Sequence, residues 1–403
     1  MVTTIASTEQ PLLLDKELLS SYANQYKQEL LQNILPFWLN FSKDEINGGY
    51  FTCLDRTGEV YDTDKFIWLQ GREVWCFSYM YTQVEAKAEW LEMAIHGANF
   101  LEKHGRDEQG NWYFSLTADG TPLVQPYNIF SDCFACMAFA ALDKASPNSR
   151  YKQIAVDTFN NIIARKDNSK GSYNKNFPGT RNLKNFSLPM ILCNLALELE
   201  HIIGSDRVNS FIPTVIHEVM EVFYQPSSGL ILENVYEDGS FCNSFEGRLI
   251  NPGHAIEAMW FIMDLAKRNN DTALINKACT IVLQTLEYGW DKEHGGIFYF
   301  LDILNHPPQQ LEWDQKLWWV HVEALVALAK GYALTQNDEC LQWFNKVHNY
   351  TWQHFKDTEH GEWFGYLNRT GDVLLPLKGG KWKGCFHVPR SLYQVYKTFN
   401  QLT

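Results

Sequence analysis

This sequence predicts an all-α closed ring, an (α/α)6 barrel of six helical hairpins and twelve helices, with short β-hairpins and loops around its mouth. Three observations predict it. Glycine-marked extended segments recur about every 60 residues, at Gly48, Gly110, Gly171, Gly229, Gly295 and Gly361, and a fixed period holding one supersecondary unit means stacked repeats. Each of the first five marks is followed by a helix and a return helix, the sixth by one helix only. A further helix precedes the first mark. The last helix is therefore expected to close beside the first inner one, with the N-terminal helix as its outer partner.

The elements follow in order. Residues 1–14 read as frayed. Asp15 caps a helix whose apolar positions Leu18, Leu19, Tyr22, Tyr26, Leu30 and Ile34 keep helical spacing, and Pro36 stops it. Asn47–Val60 alternates between glycines and reads as a hairpin or extended loop. Helices are predicted over about Asp64–Tyr81 and Glu85–His104. Gly110–Gly120 is the second such segment, with helices near Pro126–Asp143 and Ser149–Arg165. A degenerate third copy opens at Gly171, with helices near Asn185–Glu200 and Asp206–Tyr224. Ser228–Ser240 leads to a helix capped by Asn251 and another over Thr272–Glu287. His294–Phe300 leads to Lys316–Leu334 and Asp338–His354, and His360–Asp372 to a last helix over Phe386–Phe399. No Gly-, Pro- or Ser-rich linker interrupts the pattern, so residues 1–403 are expected to form one domain.

Composition narrows the class. Hydrophobic residues make up 45% and charged residues 20%, as in ordinary globular proteins. The aromatic share, 14%, suits a ring-lined core and also stacking on sugar C–H faces. A net charge of −13 without a basic stripe argues against nucleic acid as a partner. No apolar run is long enough to span a membrane, and the first residues lack the basic and apolar regions of a signal peptide. Nine cysteines, mostly inside apolar helical patterns, read as reduced thiols in a cytoplasmic protein. Cys133 and Cys136 form a CxxC with no second pair at zinc spacing, so they read as core.

Ring closure would bring the first turns of the inner helices to one mouth. Polar candidates there are Arg72; Tyr127, Asn128 and Asp132; Asn185 and Ser187; His254 and Glu257; Trp318, Trp319, His321 and Glu323; and His387 and Arg390. Asn251 is an N-cap and Pro252 occupies the first helical position, so His254 falls in the first turn with Glu257 three residues on. The helix dipole there favours a neutral imidazole, which a general base needs. His387 repeats the arrangement ahead of Pro389 and Arg390. No HExxH, paired Glu-x-x-His or phosphate loop is present, and no metal is expected. Two imidazoles facing one cavity fit proton removal next to a carbonyl and its return from the opposite face. Arg72 would stabilise the enolate oxygen. Glu257 and Glu323 would hold hydroxyls or orient an imidazole.

Four stretches carry a family resemblance. They are Trp68-Leu-Gln-Gly-Arg72, Arg248-Leu-Ile-Asn-Pro-Gly-His254 with Glu257, Trp318-Trp-Val-His-Val-Glu323, and Lys383-Gly-Cys-Phe-His-Val-Pro-Arg390. With them the whole chain resembles the N-acylglucosamine 2-epimerase (renin-binding protein) family, especially its cyanobacterial members. The resemblance implies the same barrel and interconversion of N-acetylglucosamine and N-acetylmannosamine at C2 of the ring-opened sugar. It implies a homodimer, no cofactor in the chemistry, and ATP as an allosteric activator that is not consumed. His254 and His387 would be the acid/base pair, with Arg72, Glu257, Glu323 and Arg390 around the substrate. Asn185, Trp319, Phe386 and Trp382 would contact it. The nucleotide-responsive loop would be Lys170–Lys184, through Lys170, Lys175, Arg181 and Lys184. An aldose–ketose isomerase or an epimerase of unacylated sugars is the nearest alternative. A glycosidase would need two carboxylates, such as Glu257 with Glu323 or Asp132, and would leave the histidines idle. A protein-binding role would need a large exposed apolar patch.

Overall fold

The structure, a computed structural model, describes the backbone of residues 9–168, 170, 177 and 179–403, and side chains from Lys16 onward. In chain order its helices are α1 (Glu9–Glu29), continued by a π-turn over Leu30–Ile34 into α2 (Leu35–Phe41), α3 (Ile67–Gln83), α4 (Ala88–His104), α5 (Ile129–Ala145), α6 (Ser149–Arg165), α7 (Ser187–Ile203), α8 (Ser205–His217), α9 (Pro252–Arg268), α10 (Thr272–Gly289), α11 (Trp318–Thr335), α12 (Asp338–His354) and α13 (His387–Asn400). With α1 and α2 taken as one bent helix, they form an (α/α)6 barrel.

The odd-numbered helices from α3 to α13 make the inner ring. Their sequences show why. α11 is buried from Trp318 through Ala329, and a helix that is apolar all round must be covered all round. The outer α6 buries only Tyr151, Ile154, Ala155, Thr158, Phe159 and Ile162, one stripe at helical spacing. α13 closes the ring on α3, Phe386 meeting Trp75 at 5.2 Å and Tyr393 meeting Tyr79 at 5.3 Å between ring centroids. α1 covers α13 from outside, Tyr22 lying 6.2 Å from Phe399. Gly71 sets the approach of α3 to α5, since a Cβ there would lie 2.8 Å from the Phe134 backbone.

Short strands tie the mouth into a collar. The residues just ahead of an inner helix pair antiparallel with the next repeat: Lys65–Phe66 with Ser115–Leu116, Leu183–Asn185 with Asn234–Tyr236, Leu249–Ile250 with Leu301–Asp302, and Lys316–Leu317 with Tyr366–Leu367. A bridge between Asp55 and Leu377 joins the sixth repeat to the first. Three loops share one device. Asp44, Asp291 and Asp357 each accept from two backbone N–H groups of their own loop. Each also accepts from a fully buried lysine: Lys65 at 2.7 Å, Lys316 at 3.1 Å and Lys378 at 2.9 Å.

The structure corrects several boundaries. The first helix starts at Glu9, so Asp15 lies inside it rather than capping it; Met1–Thr8 lie outside the described residues. It also passes Pro36 and ends at Phe41, because the wider π-turn just before the proline accommodates the ring and the missing N–H. α3 and α7 start later than the periodicity suggests, since Lys65–Phe66 and Leu183–Asn185 are strands. The end of the Asp206–Tyr224 segment is a π-turn over Glu218–Val222. Gly171 lies outside the described residues. Cys133 and Cys136 are buried in α5, and all nine cysteines are free. Among the described residues no helix is long and apolar enough to cross a membrane.

Burial acts to raise the Asp291 carboxyl, but Arg369, Lys316 and the backbone donors outweigh it and hold it well below the usual carboxylate range. Its contribution to stability is therefore present above about pH 4 and fades as the pH falls. Replacing Asp291 with Ala leaves Lys316 buried without its partner and should destabilise the fold by about 3–5 kcal/mol at neutral pH. Urea unfolding checks this; Glu287→Ala, which removes the exposed partner of Lys292, should leave the midpoint nearly unchanged.

Candidate active site

The first turns of α9, α11 and α13 converge with α3 at the mouth. Asn251 caps α9, its side chain accepting from the His254 N–H at 3.1 Å. His254 keeps 26% of its side chain accessible and its ring packs on Trp319 at 5.2 Å. The His387 ring packs on the same indole at 5.8 Å. Both imidazoles therefore border one aromatic surface, contributed by α11.

Each imidazole is gripped at Nδ1 by a different carboxylate. His254 meets both oxygens of Glu233, at 3.1 and 3.0 Å. His387 meets Glu323 Oε1 at 2.7 Å. A carboxylate accepts, so each Nδ1 carries the proton and each Nε2 is left for the cavity. The two rings differ in charge preference. Burial pushes His254 down, but the Glu233 carboxylate more than offsets it and the net shift is upward. Burial, reinforced by the Arg72 charge, pushes His387 well below the ordinary histidine value. The two rings thus lean in opposite directions, His254 toward the charged form and His387 toward the neutral one. The helix dipole alone favours a neutral His254, but a carboxylate at hydrogen-bond distance acts the other way and shifts it toward the charged form.

Beneath the rings lies a buried charge cluster. The Arg390 Nη2 donates to Glu257 and, at 2.6 Å, to Glu323. Glu323 also accepts from Trp260 Nε1 at 2.9 Å and Ser391 Oγ at 3.3 Å. Ligand atoms of Glu257, Glu323 and His387 lie within 4.8 Å of one another, close enough to share a metal ion. The guanidinium already donates to both carboxylates, so an ion there would face its like charge. Arg72 is caged by rings, its guanidinium carbon 4.0 Å from the centroid of Phe134, 4.5 Å from Trp68 and 4.8 Å from Phe386. Burial, with Arg390 nearby, pushes its pKa down to about 9, so it remains a cation at neutral pH. Its Nε has no hydrogen-bond partner among the described residues.

The other expected site residues are dispersed. Phe386 is buried under both guanidinium groups. Trp382 stands half exposed at the rim against Trp68. Asn185 does not reach the histidines; it donates to Asn234 at 3.0 Å and to the Glu233 carbonyl, holding the strand beside Glu233. His321 belongs to the core, accepting from the Ile297 N–H and bonded to the Leu317 carbonyl. Asp132 turns outward to Arg165, and Asn128 caps α5. Lys170, Arg181 and Lys184 border a separate cavity between α5, α7 and α8; Lys175 lies outside the described residues. Sequence reasoning missed Glu233, which sits in a hairpin with no periodic signal.

Comparison with known proteins places the chain. The family model described as N-acylglucosamine 2-epimerase (GlcNAc 2-epimerase) matches residues 49–389. The chain belongs to the N-acylglucosamine 2-epimerase family. It is 39% identical to N-acylglucosamine 2-epimerase of Bos taurus over 402 residues, 96% of this chain and 93% of that one. The Rattus norvegicus protein of the same name is also 39% identical, over 94% of this chain and 92% of its own. Among solved structures, cellobiose 2-epimerase from Bacillus thermoamylovorans superposes with a TM-score of 0.81 at 21% identity, covering 94% of this chain and 99% of that one. That likeness shows the barrel in common.

Glu233 is the one carboxylate hydrogen-bonded to His254 among the described residues. In this family member, Glu233→Gln should lower the His254 pKa, because burial then acts against the weaker pull of Glu257. Imidazole NMR titration measures it. An unchanged His254 titration would contradict the assignment.

Proposed function

We propose that the protein is a sugar 2-epimerase that interconverts N-acetylglucosamine and N-acetylmannosamine. The observation that carries the reading is the pair of imidazoles on Trp319, each held at Nδ1 by its own carboxylate so that Nε2 is left to act. In the ring-opened sugar the aldehyde at C1 makes the C2–H acidic. The neutral imidazole takes that proton, the C2–H electrons form the enolate C=C bond, and the C1 carbonyl becomes an oxyanion. Arg72, a ring-caged cation beside the two imidazoles, stabilises that charge. The protonated imidazole returns a proton to C2 from the other face, the carbonyl re-forms, and C2 is inverted. The site must then exchange the proton between the histidines or with water before the next turnover in the same direction. Two imidazoles and a guanidinium supply this chemistry without a cofactor. Glu323 and Glu233 hold the two bases, and Glu257 fixes Arg390. Trp382 at the rim and Phe386 below would complete the substrate's surroundings, while Asn185 acts only through the strand beside Glu233.

The relatives named for N-acylglucosamine favour the acylated sugar. The structural likeness to a cellobiose epimerase leaves unacylated sugars as the second substrate class to test. The same reading takes the protein as a cytoplasmic homodimer, in keeping with its nine free thiols. It takes ATP as an activator that is not consumed. Support for the effector is a cavity of about 960 Å³ bordered by Lys170, Arg181 and Lys184, although Lys184 is paired with Glu218 and Arg181 with Glu246.

The test is product identity. N-acetylmannosamine, with and without ATP, should yield N-acetylglucosamine by NMR, and no ketose. A ketose product would point to an isomerase, and conversion of cellobiose alone to an epimerase of unacylated sugars. His254→Asn and His387→Asn should each lower kcat on the order of 10²-fold to 10⁴-fold, with circular dichroism unchanged. Full activity in either variant would remove that residue from the mechanism.

A further inference from the structure

The barrel has a second polar chamber at the end opposite the mouth. It lies among the C-terminal halves of the inner helices and has a volume of about 490 Å³. Trp75, Tyr79, Asn194, Glu198, Asp264 and Arg390 border it. Arg390 therefore touches both ends of the barrel interior. Its Nη2 serves Glu257 and Glu323, whereas Nε and Nη1, in a side chain only 2% exposed, have no hydrogen-bond partner among the described residues.

The walls select a ligand class. Trp75 and Tyr79 stack at 4.6 Å with 19° between their planes, an aromatic surface of the kind that packs on C–H faces. Trp75 Nε1 donates to Glu198 Oε2 at 3.0 Å. Glu198 keeps accessible surface although it is deeply enclosed, and burial raises its carboxyl pKa. Asp264 is held by Lys330 at 2.8 Å. The lining carries both signs, Glu198, Glu200 and Asp264 with Lys144 and Arg390, and Glu200 and Asp264 are already paired with Arg268 and Lys330, so neither an anion nor a cation is favoured. What remains is a neutral molecule with both donors and acceptors. A chamber of this size lies within the range of small-molecule sites.

We propose that this chamber is a second binding site, for a neutral polyhydroxyl compound such as a polyol or a monosaccharide. Its hydroxyls donate to the Glu198 and Asp264 carboxylates, and its C–H face packs on Trp75 and Tyr79. The inference rests on the chamber's geometry and not on the reaction proposed at the mouth.

The test uses the full-length protein and sorbitol as probe. Trp75 and Trp260 border the chamber, so tryptophan emission should change saturably as sorbitol is added. Glu198→Leu, which removes an acceptor, and Leu197→Trp, which fills space at the wall, should each weaken binding by roughly tenfold, the worth of one hydrogen bond. Trp319→Ala, at the mouth, should leave it unchanged. The proposal is overturned by no saturable response in the parent protein. It is equally overturned by a response that survives both chamber substitutions, or one that disappears with Trp319→Ala.

Discussion

Arg390 is clamped between Glu257 and Glu323 in the centre of the barrel, and the rest of the site depends on that clamp. Two carboxylates buried this deeply are costly unless a cation and further donors meet them. One guanidinium meets both, while Trp260 and Ser391 complete Glu323. Glu323 can then hold the Nδ1 of His387 with its remaining capacity. The charge cluster and the orientation of one imidazole are thus a single arrangement. Changing any member alters what the others can do, because an unmatched charge in this interior has no water to turn to.

That arrangement needs ring closure. Glu257, Glu323 and Arg390 come from α9, α11 and α13, consecutive inner helices, but Arg72 comes from α3 at the other end of the chain. α13 reaches α3 through Phe386 on Trp75, and Phe386 also lies beneath both guanidinium groups. Gly71 lets α3 approach α5 closely enough for Phe134 to face Arg72. The collar of paired strands sets the mouth. One of its strands ends beside Glu233, which is how a hairpin residue reaches His254.

Much of this was legible in the sequence. The 60-residue period and the continuous apolar faces of the inner helices specify a ring of hairpins. Asn251 and Pro252 specify where α9 starts and so place His254 at the mouth. The remainder depends on contacts between segments. Glu233 acts through a strand pairing that no local pattern encodes. The charge preference of His254 shifts because that distant carboxylate acts against the local helix end. His321 lies two residues from Glu323, yet the helix turn points it into the core. Pro36 looked like a stop because a π-turn has no sequence signature. Asp44, Asp291 and Asp357 stand four residues ahead of Gly48, Gly295 and Gly361, but their buried lysines appear only in three dimensions.

The central claim is that two histidines act on opposite faces of one carbon, each as base for one epimer. Exchange at C2 in D₂O, followed separately for the two single-histidine variants, tests it most directly. A variant retaining one base should wash deuterium into one epimer without inverting it. His254→Asn and His387→Asn should therefore label opposite epimers, each at retained configuration. Labelling of the same epimer by both variants, or inversion continuing with one histidine gone, would contradict the account.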